Sequence, residues 1–520
     1  MTDHTPHSRA DKPSRTFRLV LWVGMGIIFL LGGFDGYAAA SQEQTPRNYN
    51  VLFLIADDLN NMLGCYGYTL AKSPHIDRLA AEGVKFERAY NQFPLCAPSR
   101  NSFLTGLYPN STGVLTNQVM FRQTIPQHVS MPQAFRRAGY FVARVGKLYH
   151  YGVPRSIGTD GNDDPVSWEV KANPAGVDRL EEEPHIFSLI PGRFGGTLSW
   201  YASPKGDRYH TDGKIADEAI WLLERCAKKE TRPFFLAVGF FRPHTPYVAP
   251  KEYFDLYPLE QVPLIKPGEG EDANVPWPAL ATRRKEEMAM SDDLRRQALQ
   301  AYLASISFMD AQVGRVVAAL ETLGLKDRTI IVFTSDHGYH MGEHGLYQKM
   351  TLFEESARVP LILVVPGLTK AGSVVSTPVG LVDLYPTLAE LCGVPRPENL
   401  QGQSLVPMLR NPAEKGRGWA LTQVTRRRGG KEFFGYSIRT ERYRYTEWDG
   451  GAEGRELYDH QTDPRELVNR AEDPAYQQVV QELAALLKEA VQQTFPPSGE
   501  IPKVIEQQIY IPMLVESVER

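Results

Sequence analysis

The 520-residue chain carries 57 Lys and Arg against 61 Asp and Glu, a formal net charge of −4, and is 42% hydrophobic and 23% charged. That balance belongs to a folded globular body: it excludes a disordered, collagenous or polytopic membrane chain and lacks the basic excess that nucleic-acid binding needs. The length allows about three domains, or one large α/β core with an appendage, and 43 Gly with 38 Pro predict long loops over that core.

The N-terminus places Arg9, Lys12, Arg15 and Arg18 before an apolar run, Leu19 to Phe34, followed by Ala38, Ala39 and Ala40. This is the layout of a secretory signal peptide over 1–40, and the run is marginal in length for a retained membrane anchor. Either way the body is expected outside the cytoplasm: periplasmic, secreted or, in a eukaryote, lysosomal. Asn50 to Ala56 is a continuous apolar run of strand length, buried on both faces, that ends in Asp57 and Asp58. Ser73 and Pro74 open a helix that Gly83 closes, and Val84 to Tyr90 follows as a strand. A second helix, 131–138, capped by Ser130, leads to a strand over 140–145, with Lys147 and His150 just beyond it.

Residues 152–205 are rich in Gly, Pro and acidic groups without periodicity and predict a long insertion over one end of the sheet, a place for substrate. A helix over 213–228 precedes the strand 234–241, which runs into Arg242, Pro243, His244, Thr245 and Pro246. Another irregular piece, 258–281, precedes a helical pattern over 292–323. The apolar run 329–334 then ends in Ser335, Asp336, His337 and Gly338. A strand at 360–365 and a helix near 382–392 continue the alternation to about 424, which implies an α/β, doubly wound, mostly parallel sheet over 41–424. Beyond it, the alternation of Tyr436, Ile438, Tyr443 and Tyr445 and an amphipathic helix over 476–493 predict a smaller C-terminal α+β domain, 425–520.

Ligands of open parallel sheets bind beyond the carboxyl ends of the strands, and chemical groups fall at several such ends here. Asp57, Asp58 and Asp336 offer hard oxygen ligands suited to Ca²⁺ or Mg²⁺, with His337 beside them, although a lone Asp pair at a strand end more often serves as a turn or cap. The four cysteines, Cys65, Cys96, Cys226 and Cys392, are too few and scattered for a disulfide framework or a zinc site. Cys96 stands apart. Pro98 suits the first turn of a helix whose positive end would face the thiol, with Arg100 one turn on, which predicts an acidic, exposed thiol; the alternative is a buried structural cysteine. Asn110, Ser111 and Thr112 form a glycosylation sequon.

Cys96-Ala97-Pro98-Ser99-Arg100, followed by Leu104-Thr105-Gly106, resembles the signature of the type I sulfatases. The resemblance runs through Asp57-Asp58, Gly146-Lys147-Leu148-Tyr149-His150, Arg242-Pro243-His244-Thr245-Pro246, Asp336-His337-Gly338 and Lys349. With Gly435 to Tyr445 it is closest to the iduronate-2-sulfatase branch and its bacterial relatives. It implies an alkaline-phosphatase-like fold and hydrolysis of sulfate esters on a sulfated carbohydrate. It also implies maturation of Cys96 to formylglycine by a formylglycine-generating enzyme. By the same resemblance Asp57, Asp58, Asp336, His337 and the modified Cys96 would surround one Ca²⁺. Arg100 would hold the aldehyde hydrate, Lys147, Lys349 and His244 would bind sulfate oxygens, and His150 or His244 would move protons. His340 and His344 lie near the site in sequence, His344 as a supporting group or substrate contact, and Glu343 as a cap or pair. Two other readings share the residues: a phosphatase or phosphonate monoester hydrolase on the same fold, and a glycan-binding protein without catalysis.

Overall fold

Asn50–Asp57 is buried at every position. Val51, Phe53 and Ile55 belong to one apolar cluster and Leu52, Leu54 and Ala56 to another, so its two faces feed two cores. The computed structural model describes residues 49–268 and 273–505, and the segment read as a signal peptide lies outside them.

That strand is central in a nine-stranded sheet ordered Ser373–Val375, Val84–Tyr90, Arg358–Val364, Thr329–Ser335, Asn50–Asp57, Phe234–Pro243, Phe141–Gly146 and Val170–Ala172, with Val379–Gly380 also paired to Val84–Tyr90. All pairings are parallel except those of Arg358–Val364, which runs antiparallel to both neighbours. The alternating pattern therefore reads correctly as mostly parallel, and the reversal falls where 336–357, with its small hairpin His340–Met341 and Tyr347–Gln348, returns the chain beside its own strand without a crossover helix. Helices cover both faces. Asp292–Thr322, whose first turn is capped by the Ser291 hydroxyl, packs with Thr211–Lys229 and Pro74–Glu82 on one side. Cys96–Thr105, Met131–Arg137 and Leu384–Cys392 lie on the other.

The insertion 152–205 is less irregular than its composition suggests. Val170–Ala172 extends the main sheet, and Phe187–Ser188, Ser199–Ser203 and Tyr247–Pro250 make a small sheet of their own. Two- to five-residue strands leave too little periodicity to be seen in sequence. At the C-terminus, Ala420–Arg428, Lys431–Arg439, Tyr443–Trp448 and Arg455–Asp459 form an antiparallel sheet covered by Gln477–Gln492. Its first strand straddles the boundary drawn at 424, and Gly429 and Gly430, at φ 57° and 84°, make the tight turn of the first hairpin.

All four cysteines are free thiols. Burial pushes Cys226 and Cys392 up to about 12, so both are inert at physiological pH. Asn110 is fully buried, its amide donating to Thr494 Oγ1 at 2.8 Å and Tyr436 Oη at 3.1 Å. The sequon is thus a structural joint, and a glycan on it is incompatible with this fold.

Two glycines set the spacing of the strands that bring Lys147 into place. Gly146 has φ +72°, and a Cβ on Gly239 would stand 1.9 Å from the Lys147 carbonyl oxygen. Gly239→Ala is expected to lower unfolding free energy by about 2–3 kcal/mol, since backbone cannot yield as a side chain can, and to reduce activity in the surviving fold. Denaturant titration alongside an activity assay checks both.

Candidate active site

Five strand ends deliver chemistry to one place. Asp57 ends the central strand; Asp336, Lys147 and His244 follow three others; Cys96 comes six residues after Tyr90. Leu95 is the last extended residue, and Cys96 is the first of a ten-residue helix buried along its whole length. The Asn117 side chain accepts the Ala97 N–H at 3.0 Å, satisfying one donor of the first turn.

Arg100 holds this edge together. Its Nε donates to Asp336 Oδ2 at 2.8 Å, Nη2 to Asp57 Oδ1 at 2.9 Å, and Nη1 to the carbonyls of Lys147 and Leu148 at 2.9 and 3.1 Å. Four of its five N–H groups are committed to protein. Lys147 Nζ lies 2.5 Å from Asp57 Oδ2, and Lys349 Nζ lies 2.6 Å from both Asp58 oxygens and 3.9 Å from Cys96 Sγ. Asp58 sits at φ 64° in a turn steadied by Tyr302, whose hydroxyl donates to the Asp58 carbonyl and accepts the Asn60 N–H. Gln348 and Met350, flanking Lys349, also have positive φ, at 68° and 73°. Such left-handed residues cost of order 1 kcal/mol each and persist where surroundings impose them.

The residues at this edge fit a cation. Asp58, Cys96, Asp336 and His337 present ligand atoms within 4.8 Å of one another, as do Asp57, Asp58 and His244. Asp57 therefore joins the second group and reaches the first through Asp58. His337 Nδ1 faces the Gly338 carbonyl at 3.0 Å, which turns Nε2 toward Cys96 Sγ at 3.4 Å and Asp58 Oδ1 at 3.3 Å. A backbone acceptor on the far nitrogen is the usual orienting partner of a ligating histidine. The three buried carboxylates Asp57, Asp58 and Asp336 are hard oxygen donors that suit Ca²⁺ or Mg²⁺, whereas the Cys96 thiol is a soft donor that adds nothing for such an ion unless its sulfur is replaced by oxygen.

The charges are strongly coupled. Burial favours a neutral Asp57, but Lys147 and His244 outweigh it and hold the carboxyl well below the usual range. Burial also dominates at Asp336, only partly offset by Arg100 and His337, and raises it to about 6. At His337 burial opposes the cation, yet Asp336 and Asp58 lift it to about 9. Burial works against a thiolate at Cys96, but Lys147, Lys349 and hydrogen bonds to His150 and His244 overcome it, so the thiol is held well below its ordinary range. Burial lowers His150 and keeps it neutral.

Above Cys96 opens a cleft of about 340 Å³ whose wall includes His150, His244, Lys349 and Asn117, and, from the insertion, Gly152 and Phe194. A cavity of about 960 Å³ lies elsewhere, lined by residues of 107–138, 395–401 and 495–502, and contains none of these groups.

All ten residues singled out in sequence meet at this edge: Asp57, Asp58, Cys96, Arg100, Lys147, His150, His244, Asp336, His337 and Lys349. Two expectations change. The Cys96 thiol is acidic but 1% exposed, because it forms the cleft floor instead of an open helix end. Of the two readings of His344, the substrate contact is not met, since the residue is absent from the cleft wall: its ring stacks on Phe353 at 4.0 Å and its carbonyl accepts from Arg283. His340 bonds Thr351, and Glu343 caps the Met341 N–H at 2.7 Å. The insertion does line the cleft, whereas no described residue of 258–281 does; Thr282 and Arg284, just after it, do. Asn117, Phe194, Arg284 and Gln348 were not foreseen, since isolated polar or aromatic loop residues carry no spacing that marks them.

Buried carboxylates, fixed cations and an acidic thiol at one sheet edge define a hydrolytic centre, and comparison with known proteins gives its class. A profile of the sulfatase family matches residues 49–394, and one of the N-sulphoglucosamine sulphohydrolase C-terminal region matches 342–493. A sulfatase of Formosa agariphila is 34% identical over 458 residues, 84% of this chain and 86% of that protein. Iduronate 2-sulfatase of Homo sapiens is 34% identical over 521 residues, 84% of this chain and 91% of that protein. The phosphonate monoester hydrolase of Agrobacterium radiobacter superposes with a TM-score of 0.69 at 24% identity, covering 88% of this chain and 99% of that one, and shares the fold. The chain belongs to the sulfatase family, and its fold is alkaline-phosphatase-like.

Arg100→Gln removes a cation shared by two buried carboxylates. The expected loss is about 3–5 kcal/mol of unfolding free energy, the cost of leaving a buried charge uncompensated, measured on the chelated protein by denaturant titration.

Proposed function

We propose that the chain removes sulfate from a sulfated sugar in the manner of iduronate-2-sulfatase, with Cys96 matured to formylglycine. The carrying observation is the position of residue 96: first in its helix, at the cleft floor, 3.4 Å from His337 and 3.9 Å from Lys349. A formylglycine-generating enzyme would oxidise the Cys96 side chain to an aldehyde, which hydrates to a geminal diol. The diol would supply the nucleophilic oxygen for sulfur and, through its second hydroxyl, the means of expelling sulfate by elimination, while His150 or His244 would take the proton of the attacking hydroxyl and return it to the leaving alcohol. A diol permits this elimination, whereas an ordinary ester would need attack by water.

Asp57, Asp58, Asp336, His337 and residue 96 would hold one Ca²⁺, which when bound supplies Lewis-acid polarisation of the sulfate. Lys147, Lys349 and His244 bind sulfate oxygens and stabilise the charge that develops. Arg100, with one N–H left, fixes the diol while keeping Asp57 and Asp336 in place. Uronate 2-sulfate is the substrate favoured by the identity to iduronate 2-sulfatase of Homo sapiens across most of both chains. Export through the N-terminal signal would bring the enzyme to extracytoplasmic glycans.

The tryptic peptide 89–100, from protein made with a formylglycine-generating enzyme, is expected to carry the aldehyde or its hydrate; an unmodified thiol beside a modified control sulfatase would overturn the mechanism. Cys96→Ala should lower turnover of 4-nitrophenyl sulfate by roughly a thousandfold or more. A phosphonate monoester assayed in parallel separates the phosphonate-hydrolase reading. Chelation should abolish activity and lower Tm, and Ca²⁺ should restore both, by about 2.7 kcal/mol at a hundred times its Kd; full turnover after chelation contradicts the metal assignment.

A further inference from the structure

A second cavity, of about 670 Å³, adjoins the catalytic cleft and shares Gly152, Val153, Phe194, Gly196 and Arg284 with it. These five residues form the waist between the two. The Arg284 guanidinium donates to the Gly196 carbonyl, and Gln348 Nε2 reaches the same oxygen at 3.0 Å, so the waist is tied to the loop that carries Lys349. The outer wall carries Arg155 and Arg193, and neither guanidinium has an ion-pair or hydrogen-bond partner among the described residues. Of the two carboxylates in that wall, Glu183 is engaged by Arg179 at 3.0 Å, leaving Glu286 against three arginines.

Surface arginines are ordinarily just hydrated. Two without acidic partners, in a concavity that continues the cleft over the proposed nucleophile, present forked donors that match a carboxylate or a sulfate. Half-buried Phe194, common to the walls of both cavities, offers an apolar ring between them. We propose that this cavity is a second subsite, which holds the sugar adjoining the one that loses sulfate and binds its anionic group through Arg155 and Arg193. The inference rests on the sulfated-sugar reading of the catalytic cleft and adds the residues of this chain that select the charge of the neighbouring sugar. It also gives the insertion 152–205 its work, since Arg155, Arg193 and Phe194 all come from it.

The test compares 4-nitrophenyl sulfate with three disaccharides bearing a terminal uronate 2-sulfate, whose second sugar is neutral, carries a carboxylate, or carries a sulfate. Wild type is expected to favour a charged neighbour over the neutral one by about tenfold or more in kcat/KM, chiefly through KM, as expected for charge-assisted hydrogen bonds from two arginines. The carboxylate and sulfate arms identify which anion is taken. R155Q/R193Q should abolish that preference with 4-nitrophenyl sulfate turnover unchanged. Equal use of neutral and charged neighbours, or a preference that survives R155Q/R193Q, overturns the subsite. Calorimetric binding of the same disaccharides keeps the readings apart: anion-dependent binding without turnover overturns the sugar-sulfatase reading and retains the subsite, whereas binding indifferent to the anion overturns the subsite.

Discussion

The buried Arg100 guanidinium, bridging Asp57 and Asp336 at 2.9 and 2.8 Å, is the contact on which the site's geometry depends. Those carboxylates end adjacent parallel strands, where their mutual repulsion in a low-dielectric edge would splay the loops. A flexible ammonium could pair with one of them; the planar fork takes both and two carbonyls from the Lys147 turn as well. Because Arg100 lies one helical turn from Cys96, the same clamp sets the height of residue 96 over the strand ends. The neighbouring Ser99 hydroxyl, donating to the Asp336 carbonyl at 2.5 Å, locks the same helix to the same strand end.

The C-terminal sheet belongs to this machinery although it contributes nothing to the cleft. Arg426 donates to the carbonyls of Met350 and Pro278, gripping the loop that presents Lys349 from behind. Below it, Glu354 and Glu466 converge on Arg444, with Arg439 and His460 completing a buried ion network between the core and the sheet. Networks of this kind stabilise little relative to apolar packing but are costly to break one member at a time. They fix relative position, and position is what a lysine on a left-handed backbone segment requires.

What was legible in the sequence divides along physical lines. Long apolar runs such as 50–56 and 329–334 announce buried strands because both faces must be apolar, and residues at their carboxyl ends inherit a location from topology alone. The motif around Cys96 added identity to that location. Exposure was misjudged at Cys96 because a helix start says nothing about what packs over it; here Lys349 and the insertion do. The three-residue edge strand Val170–Ala172 and the small sheet around Trp200 stayed hidden, since they are held by tertiary pairing and not by local pattern. Phe194, Arg284 and Gln348 illustrate the same limit within the site: their roles come from three separate segments meeting at the cleft.

Charge arithmetic explains why so polar a centre tolerates burial. Asp57, Asp58 and Asp336 are matched in number by Arg100, Lys147 and Lys349, all six at most 10% exposed in their side chains, so the protein's own fixed charges cancel. A divalent cation held among the carboxylates would leave the centre with a net positive charge, and a sulfate ester brings one negative charge into it. Under the proposed mechanism, negative charge building on the sulfate oxygens and the leaving alcohol would be met by cations already in place, whose reorganisation was completed when the chain folded. The left-handed turns at Asp58, Gln348 and Met350 are part of that outlay, with folding stability exchanged for a centre that need not rearrange when sulfate arrives.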